Sequence, residues 1–356
     1  MKILHTADLH LGAPMRTHLP AREARLRRDE LLSTLHTLLK AARATECSAV
    51  IIAGDLFDTE AAAASLTPAV LDEIKAFSDI DFYYTRGNHE ADAHFSSPLP
   101  KNLHIFGDSL TYFEKENVVF FGKSAWKKDD FENICLQEEK INVLIAHGAW
   151  SDGYNKSADI PLGYLSGRHI DYCALGHYHA YATKRVDERG IAVYAGTPEG
   201  RGFDEIGPKG AVLIEIEGKR ITHTFLPLAR RTLHRIEADV SDAKSLLDVF
   251  ALCEAALTEA KKEDLVRLVL TGKRKHLPTV EPEAAERHLH GKFYYLEIED
   301  ATSAAPDIEK YKNESSLHGE FVRAALADGS LSAEARMRII SLGLAALNGE
   351  IGGGIR

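Results

Sequence analysis

Carboxylates, an amide and imidazoles stand in five short clusters along the chain: Asp8-x-His10, Gly54-Asp55-Leu56-Phe57-Asp58, Gly87-Asn88-His89-Glu90, His147, and Gly176-His177-Tyr178-His179. The set Asp8, His10, Asp55, Asn88, His147, His177 and His179 offers hard oxygens and imidazole nitrogens and no thiolate, which favours Mn, Fe or Zn over calcium or a cysteine-held structural zinc. Any one of these histidines alone would more often be a satisfied core or loop residue. The ordered set changes that balance. It is too large for one tetrahedral ion, and the two oxygens of Asp55 could bridge ions roughly 3.5 to 4 Å apart, so the residues predict a dinuclear centre. Two cations so placed would activate a water and clamp a phosphate ester for in-line attack.

Something must bring these clusters together. Each follows an apolar, β-rich run: Ile3 to Ala7, Ala49 to Ala53, Phe82 to Thr85, Ile141 to Ala146 and Tyr172 to Leu175. Loops beyond strand ends are where a rigid sheet aims distant side chains at one point. Asp8 and His10, two residues apart, are expected to leave an extended backbone on the same side. Further strand signals are Val118 to Phe121, Ala192 to Ala195, Ala211 to Ile216 and Ile221 to Leu226. Leu31, Leu35, Leu38, Leu39 and Ala42, then Leu66, Val70, Ile74 and Phe77, repeat at helical spacing and predict two amphipathic helices covering a sheet. Later strands are less often separated by helices, so the expected fold class is α/β, a two-sheet sandwich flanked by helices.

Past residue 228 the pattern restarts: strand Leu233 to Ala238, helix Ala243 to Ala260, strand Val266 to Thr271, helix Glu281 to Leu289 and strand Phe293 to Ile298. The expected organisation is a catalytic domain over 1–228, a smaller α/β capping domain over 229–300 and a helical region over 301–356. In the last region Leu317 to Ala327 is helical. Ser332 caps a second helix with Glu334 in its first turn, and Met337, Ile340, Leu344 and Leu347 share a face that is expected to pack internally. The tail Gly352-Gly353-Gly354 is expected to fray.

A length of 356 residues suggests two domains, and 45% hydrophobic with 27% charged residues excludes long disorder and fibrous repeats. No apolar run approaches the roughly 20 residues of a membrane span, and the N-terminus turns polar too early for a secretory signal, so a cytoplasmic location is expected. The formal charge, 43 − 53 = −10, argues against a chain that grips a polyanion with its whole surface. Nucleic-acid contact would be local, and bound cations would offset the charge. The basic groups Arg22, Arg25, Arg27, Arg28 and Lys273-Arg274-Lys275 are read as solvated faces, and Cys47, Cys135, Cys173 and Cys253 as small buried hydrophobes. Gly122-Lys123-Ser124 ends like a P-loop, but position 117 is Asn where that loop needs Gly, which excludes this route to ATP.

In order and wording, Asp8-x-His10, Gly54-Asp55-x-x-Asp58, Gly87-Asn88-His89-Glu90, His147 and Gly176-His177-x-His179 resemble the calcineurin-like metallophosphoesterase signature. Asp8-Leu9-His10-Leu11-Gly12, Gly54-Asp55-Leu56-Phe57-Asp58 and Gly196-Thr197-Pro198-Glu199-Gly200-Arg201 are similar to the SbcD and YhaO-like DNA repair exonuclease branch. The resemblance implies two Mn ions, one held by Asp8, His10, Asp55 and His179 and one by Asp55, Asn88, His147 and His177. It makes His89 the group that protonates the leaving oxygen or stabilises the transition state, with Asp58 orienting it. Glu90 departs from the Asp that commonly follows Gly-Asn-His, at a position that is not a ligand. The implied activity is 3′ to 5′ DNA exonucleolysis, with endonuclease cleavage open beside it. The implied partners are DNA and an SMC-like coiled-coil ATPase, with a homodimer allowed and no membrane. The rival readings are an esterase acting on nucleotides or other small phosphoesters, and a scaffold subunit with a vestigial site. Arg86 and Arg201 stay outside the catalytic set: each could bind substrate phosphate or only make a salt bridge.

Overall fold

Short apolar runs without polar alternation need cover on both faces. Ala49–Ala53 and Tyr172–Gly176 are buried at every position, which makes them central strands of covered sheets. The computed structural model describes all residues except 16–18, 91–94, 96–97, 152–159, 275–280, 305–306 and 350–356. The chain divides into two units, Met1–His234 with Glu263–Leu265, and Arg235–Lys262 with Val266–Arg356.

The first unit begins with β1 (Lys2–Thr6), α1 (Ala21–Ala44), β2 (Ala49–Ala53), α2 (Glu60–Ala76), β3 (Asp81–Thr85) and β4 (Leu103–Phe106). It continues with β5 (Thr111–Lys115), β6 (Val118–Gly122), α3 (Lys128–Glu132), β7 (Ile141–His147) and the two-residue strands β8 (Trp150–Ser151) and β9 (Ile160–Pro161). β10 (Tyr172–Gly176), β11 (Ala182–Arg185), β12 (Ile191–Tyr194), β13 (Gly210–Glu217) and β14 (Arg220–Pro227) follow.

Two six-stranded sheets result, ordered β14-β13-β1-β2-β3-β4 and β11-β12-β10-β7-β6-β5. In the first, β1 to β4 run parallel; in the second, β6, β7, β10 and β12 do. Ile3, Ile51, Tyr83, Phe120, Val143 and Val193 fill the space between the sheets. The outer face of the first sheet packs Val50, Ile52 and Phe82 against Leu35, Leu38, Leu39, Val70 and Ile74 of the two helices, as the helical spacing predicts. This is the expected two-sheet sandwich flanked by helices. The sequence reading missed β4, β5 and β11, which are edge or next-to-edge strands, short and mixed in polarity, and so lack a two-faced burial signal.

The second unit takes up the chain within β15 (Leu233–Asp239), followed by α4 (Leu246–Ala256), β16 (Leu265–Thr271), β17 (Lys273–Arg274), α5 (Pro282–Leu289), β18 (Tyr295–Asp300) and β19 (Ser303–Ala304). Its sheet is β15-β16-β18, with Val249, Cys253, Val266, Leu268 and Leu289 in its core. α4 starts later than expected because Ser245 caps it, and it ends at Ala256: the Ser245 hydroxyl accepts from Asp248 N at 3.3 Å and the Asp248 carboxylate accepts from Ser245 N at 2.9 Å. Then come α6 (Ile308–Lys312), α7 (Leu317–Ala327) and α8 (Ala333–Leu347). Ser332 caps α8 through Ala335 N at 3.1 Å, as expected. Of its expected face, Ile340 and Leu344 are buried against Val322 and Ala325, while Met337 and Leu347 are exposed. Lys275 and the triple-glycine tail lie outside the described residues. Three cysteines are buried as expected; Cys135 is exposed. Among the described residues no helix is long and apolar enough to cross a membrane.

Candidate metal centre

The parallel strands β1, β2 and β3 of one sheet and β7 and β10 of the other deliver the five clusters to one rim of the sandwich. The loop after β1 lies along the loop after β2: Asp8 N donates to Gly54 O at 3.0 Å and His10 N to Asp55 O at 2.9 Å. Convergence is not achieved by an extended backbone, contrary to the expectation from two-residue spacing. Asp8 (φ 52°), His10 (φ 45°), Asp55 (φ 47°) and His177 (φ 105°) all have left-handed backbone. Non-glycine residues there cost about 1 kcal/mol or more each and persist where the surroundings enforce them, typically at functional sites. Glycines in the motifs make room. A side chain on Gly54 would collide with the His147 ring, and one on Gly87 with the Asp55 carboxylate.

Donor atoms of Asp8, His10 and His179, of Asp8, Asp55 and His147, and of His10, Asp58 and His89 each lie within 4.8 Å of one another. Asn88 and His177 close the ring: Asn88 Oδ1 is 3.0 Å from His147 Nε2 and 3.3 Å from His177 Nδ1. All nine candidate residues therefore gather at one place. Asp8, His10 and Asp55 are buried at its floor, whereas Asn88, His89 and His177 are exposed at its mouth.

The inner ring nitrogens are each held by a neighbouring side chain or carbonyl. His10 Nδ1 lies 3.1 Å from Asp58 Oδ1, and His179 Nδ1 lies between Glu205 Oε1 at 2.9 Å and Arg201 Nη2 at 3.0 Å. The two Nε2 atoms meet across 3.2 Å. His147 Nδ1 donates to Ala53 O at 3.0 Å, turning its Nε2 toward Asn88 Oδ1 and toward Asp55 Oδ2 at 3.4 Å. Carboxylate oxygens and imidazole nitrogens gathered this closely fit a divalent metal.

The electrostatics carry the same message. Burial raises the Asp8 pKa to about 6, against the lowering influence of His147 and His179. Burial also pushes Asp55 upward, but the His147 hydrogen bond and charge outweigh it and leave the pKa near 2. His147 responds in kind: burial lowers it, the Asp55 bond and the Asp8 and Asp55 charges prevail, and it rises to about 9. In the ion-free chain a proton on His147 thus serves as the counter-charge. His10 is driven to about 2 by burial and then by the Arg201 charge, so its imidazole is neutral and available.

Three residues with roles here were not legible beforehand. Glu205 lies outside every motif yet orients His179; the hydrogen bonds of His179 and Arg201 hold it well below the usual carboxylate range against burial. Arg201 is buried and bonds the Glu205 carboxylate through Nε and Nη2, with Nη1 3.4 Å from Asp58 Oδ1. Glu90, also buried, accepts from Leu56 N at 2.9 Å, Phe57 N at 2.7 Å and Gly87 N at 3.4 Å, bracing the loop of His89 against the loop of Asp55. Asp58 acts differently than expected. Its carboxylate turns to His10 and Arg201, and it is the Asp58 main-chain carbonyl that meets His89 Nδ1, at 2.8 Å. Arg86 pairs with Asp108 at 2.7 Å. Of the first basic cluster, Arg22, Arg25 and Arg28 are exposed, but Arg27 is buried in ion pairs with Glu30 and Glu199.

Over residues 1–181 the chain matches the family model of the calcineurin-like phosphoesterases, and it belongs to that family, whose members use a dinuclear divalent-metal site. It is 25% identical over 295 residues to the uncharacterized metallophosphoesterase YhaO of Bacillus subtilis, covering 76% of this chain and 72% of that one. It is 26% identical over 281 residues to the DNA double-strand break repair protein Mre11 of Aeropyrum pernix, covering 69% of this chain and 65% of the other. To a component of the nuclease SbcCD of Staphylococcus saprophyticus it is 23% identical over 286 residues, covering 68% and 73%. These relatives agree with the exonuclease branch that the motif wording resembles.

Proposed function

We propose that the chain is a Mn-dependent DNA exonuclease of 3′ to 5′ polarity acting in DNA repair, with endonuclease cleavage as the second activity to be tested. Asp8, His10, Asp55 and His179 would hold one ion, and Asp55, Asn88, His147 and His177 the other. The observation that carries the hydrolytic reading is the approach of His10 Nε2 to His179 Nε2 at 3.2 Å beside the Asp8 and Asp55 carboxylates. When bound, the two ions supply an activated water at neutral pH and neutralise charge on the phosphate.

The remaining work falls to the chain. His89, exposed at the mouth and oriented through Nδ1 by the Asp58 carbonyl, presents Nε2 to give a proton to the leaving oxygen. The His89 backbone N donates to Asp55 Oδ1 at 3.0 Å, which fixes the distance between this acid and the proposed bridging carboxylate. DNA as substrate is supported by the names of the Mre11 and SbcCD relatives, and an SMC-like ATPase partner is proposed on the same ground. The decisive experiment offers linear end-labelled DNA, circular DNA, nucleotides and an aryl phosphodiester side by side with Mn2+, while metal per chain is measured. Release of nucleotides from linear 3′ ends supports the proposal. Turnover of the small esters alone overturns the DNA reading, and two tightly held ions without turnover on any of them would make the chain a scaffold.

A further inference from the structure

We propose that the two ion positions are inequivalent, with Arg201 and Glu205 acting as positioning residues for the ion between Asp8, His10 and His179 and for that one alone. The inference rests on the dinuclear reading above. A single guanidinium joins both carboxylates that orient the two imidazoles at this position: Arg201 binds Glu205, which fixes His179, and reaches Asp58, which fixes His10. The same segment, 197–205, holds the main chain around these ligands. Thr197 Oγ1 donates to the Asp8 carbonyl at 2.8 Å and Thr197 N to the His179 carbonyl at 3.3 Å, where Lys209 Nζ also donates at 2.9 Å.

The segment is itself anchored by charge. Arg27 of α1 donates to Glu199 Oε1 at 2.9 Å and to Gly200 O at 2.7 Å, and the other Glu199 oxygen accepts from Arg230 N at 2.7 Å. Glu30 completes the cluster between Arg27 and Arg231. Burying such a cluster contributes little stability compared with an apolar packing of the same volume. Its use is registration: it sets where Arg201 and Glu205 stand relative to His179. His147, on the other side of Asp55, is oriented by a main-chain carbonyl instead, that of Ala53. The imidazoles of one position are therefore oriented through side-chain charge and His147 of the other through strand backbone, so a change at Arg201 or Glu205 bears on the first alone.

The test is Mn2+ binding to the metal-free full chain, followed by calorimetry and by electron paramagnetic resonance of the bound ions. The parent chain should take up two ions. In Glu205→Gln and in Arg201→Lys, one binding step should weaken about 10- to 100-fold, with the other within about threefold, and the coupled-pair signal should give way to that of an isolated Mn2+. Equal weakening of both steps, or no change in either, overturns the inference. So does a Glu205→Gln chain that fails to fold without metal, because Glu205 would then be a structural member rather than a positioning one. Fewer than two ions on the parent chain would instead sink the dinuclear reading, a defect visible before any variant is made.

Discussion

His10 and His179 stand Nε2 to Nε2 at 3.2 Å, the far nitrogen of the first beside the Asp58 carboxylate and that of the second beside Glu205 and Arg201. A cation placed between the two nitrogens would draw both imidazoles onto itself. Residues 169 apart in sequence are brought to this contact by strands of different sheets. The site thus gathers imidazole nitrogens and carboxylate oxygens at one point, as a metal centre does.

Asp55 should be the residue on which both ions depend. It lies 3.7 Å from His10 Nε2 and 3.4 Å from His147 Nε2, between the two proposed positions. Asp55→Ala is expected to bind neither Mn2+ tightly. Chelation should lower the melting temperature of the parent by about 5 to 10 °C, since a ligand at 100 times its Kd adds about 2.7 kcal/mol and each kcal/mol moves a unit of this size about 2 to 4 °C. The variant should not respond to chelator. Two ions retained per Asp55→Ala chain would remove the bridge.

His89→Leu should separate binding from chemistry. The ring touches the site from its exposed mouth, edge-on to His10 at 4.8 Å between centroids, and it is not among the proposed ligands. Loss of a positioned proton donor costs about 100- to 10,000-fold in rate. The variant is expected to keep both ions by elemental analysis while kcat on DNA falls within that range. Full activity would take His89 out of the mechanism.

Glu90 makes a stability prediction at a position the sequence marked only as a departure. Its carboxylate is the acceptor for three backbone N–H groups, two from the Asp55 loop and one from Gly87, and burial raises its pKa to about 7. Glu90→Ala would strand buried donors, at a cost of about 2 to 4 kcal/mol in urea unfolding. Glu90→Gln, which keeps the shape of the protonated acid, should cost less than half as much. An Ala variant within about 0.5 kcal/mol of the parent would show that the two loops hold register without this brace.

How much of this was readable beforehand follows from the range of the interactions. β2 and β10 announce themselves because burial on both faces leaves a continuous apolar run, and the five clusters sit at strand ends as strand physics requires. The edge strands β4, β5 and β11 carry no such signature. The spacing of Asp8 and His10 points to them correctly, but the pleat is not what joins them, since left-handed backbone rather than extended geometry turns them to a common point. Glu205 is invisible in the sequence: its partner His179 lies 26 residues away, and only the folded path of the intervening chain brings them together. Arg27 looks like one more surface arginine because the acceptors that bury it against the far segment, Glu199 and Gly200, are more than 170 residues distant.

His5 supplies a pH dependence that is separate from metal chemistry. It is fully buried between the two sheets, its Nδ1 is 3.0 Å from the Tyr172 hydroxyl, and burial drives its pKa from 6.5 to about 3. The folded chain keeps this ring neutral while the unfolded chain protonates it below about 6.5, so the unfolded state binds more protons as the solution is acidified. The contribution to stability is complete above pH 6.5 and is lost progressively as pH falls toward 3. Between pH 7 and pH 5 this one group should remove about 2 kcal/mol, at about 1.36 kcal/mol per pH unit below the unfolded value. Urea unfolding of parent and His5→Phe at both pH values, with chelator present throughout, reads the difference directly. The variant should lose about 2 kcal/mol less than the parent over that interval; identical slopes would mean that the buried ring takes up its proton without opening the sandwich.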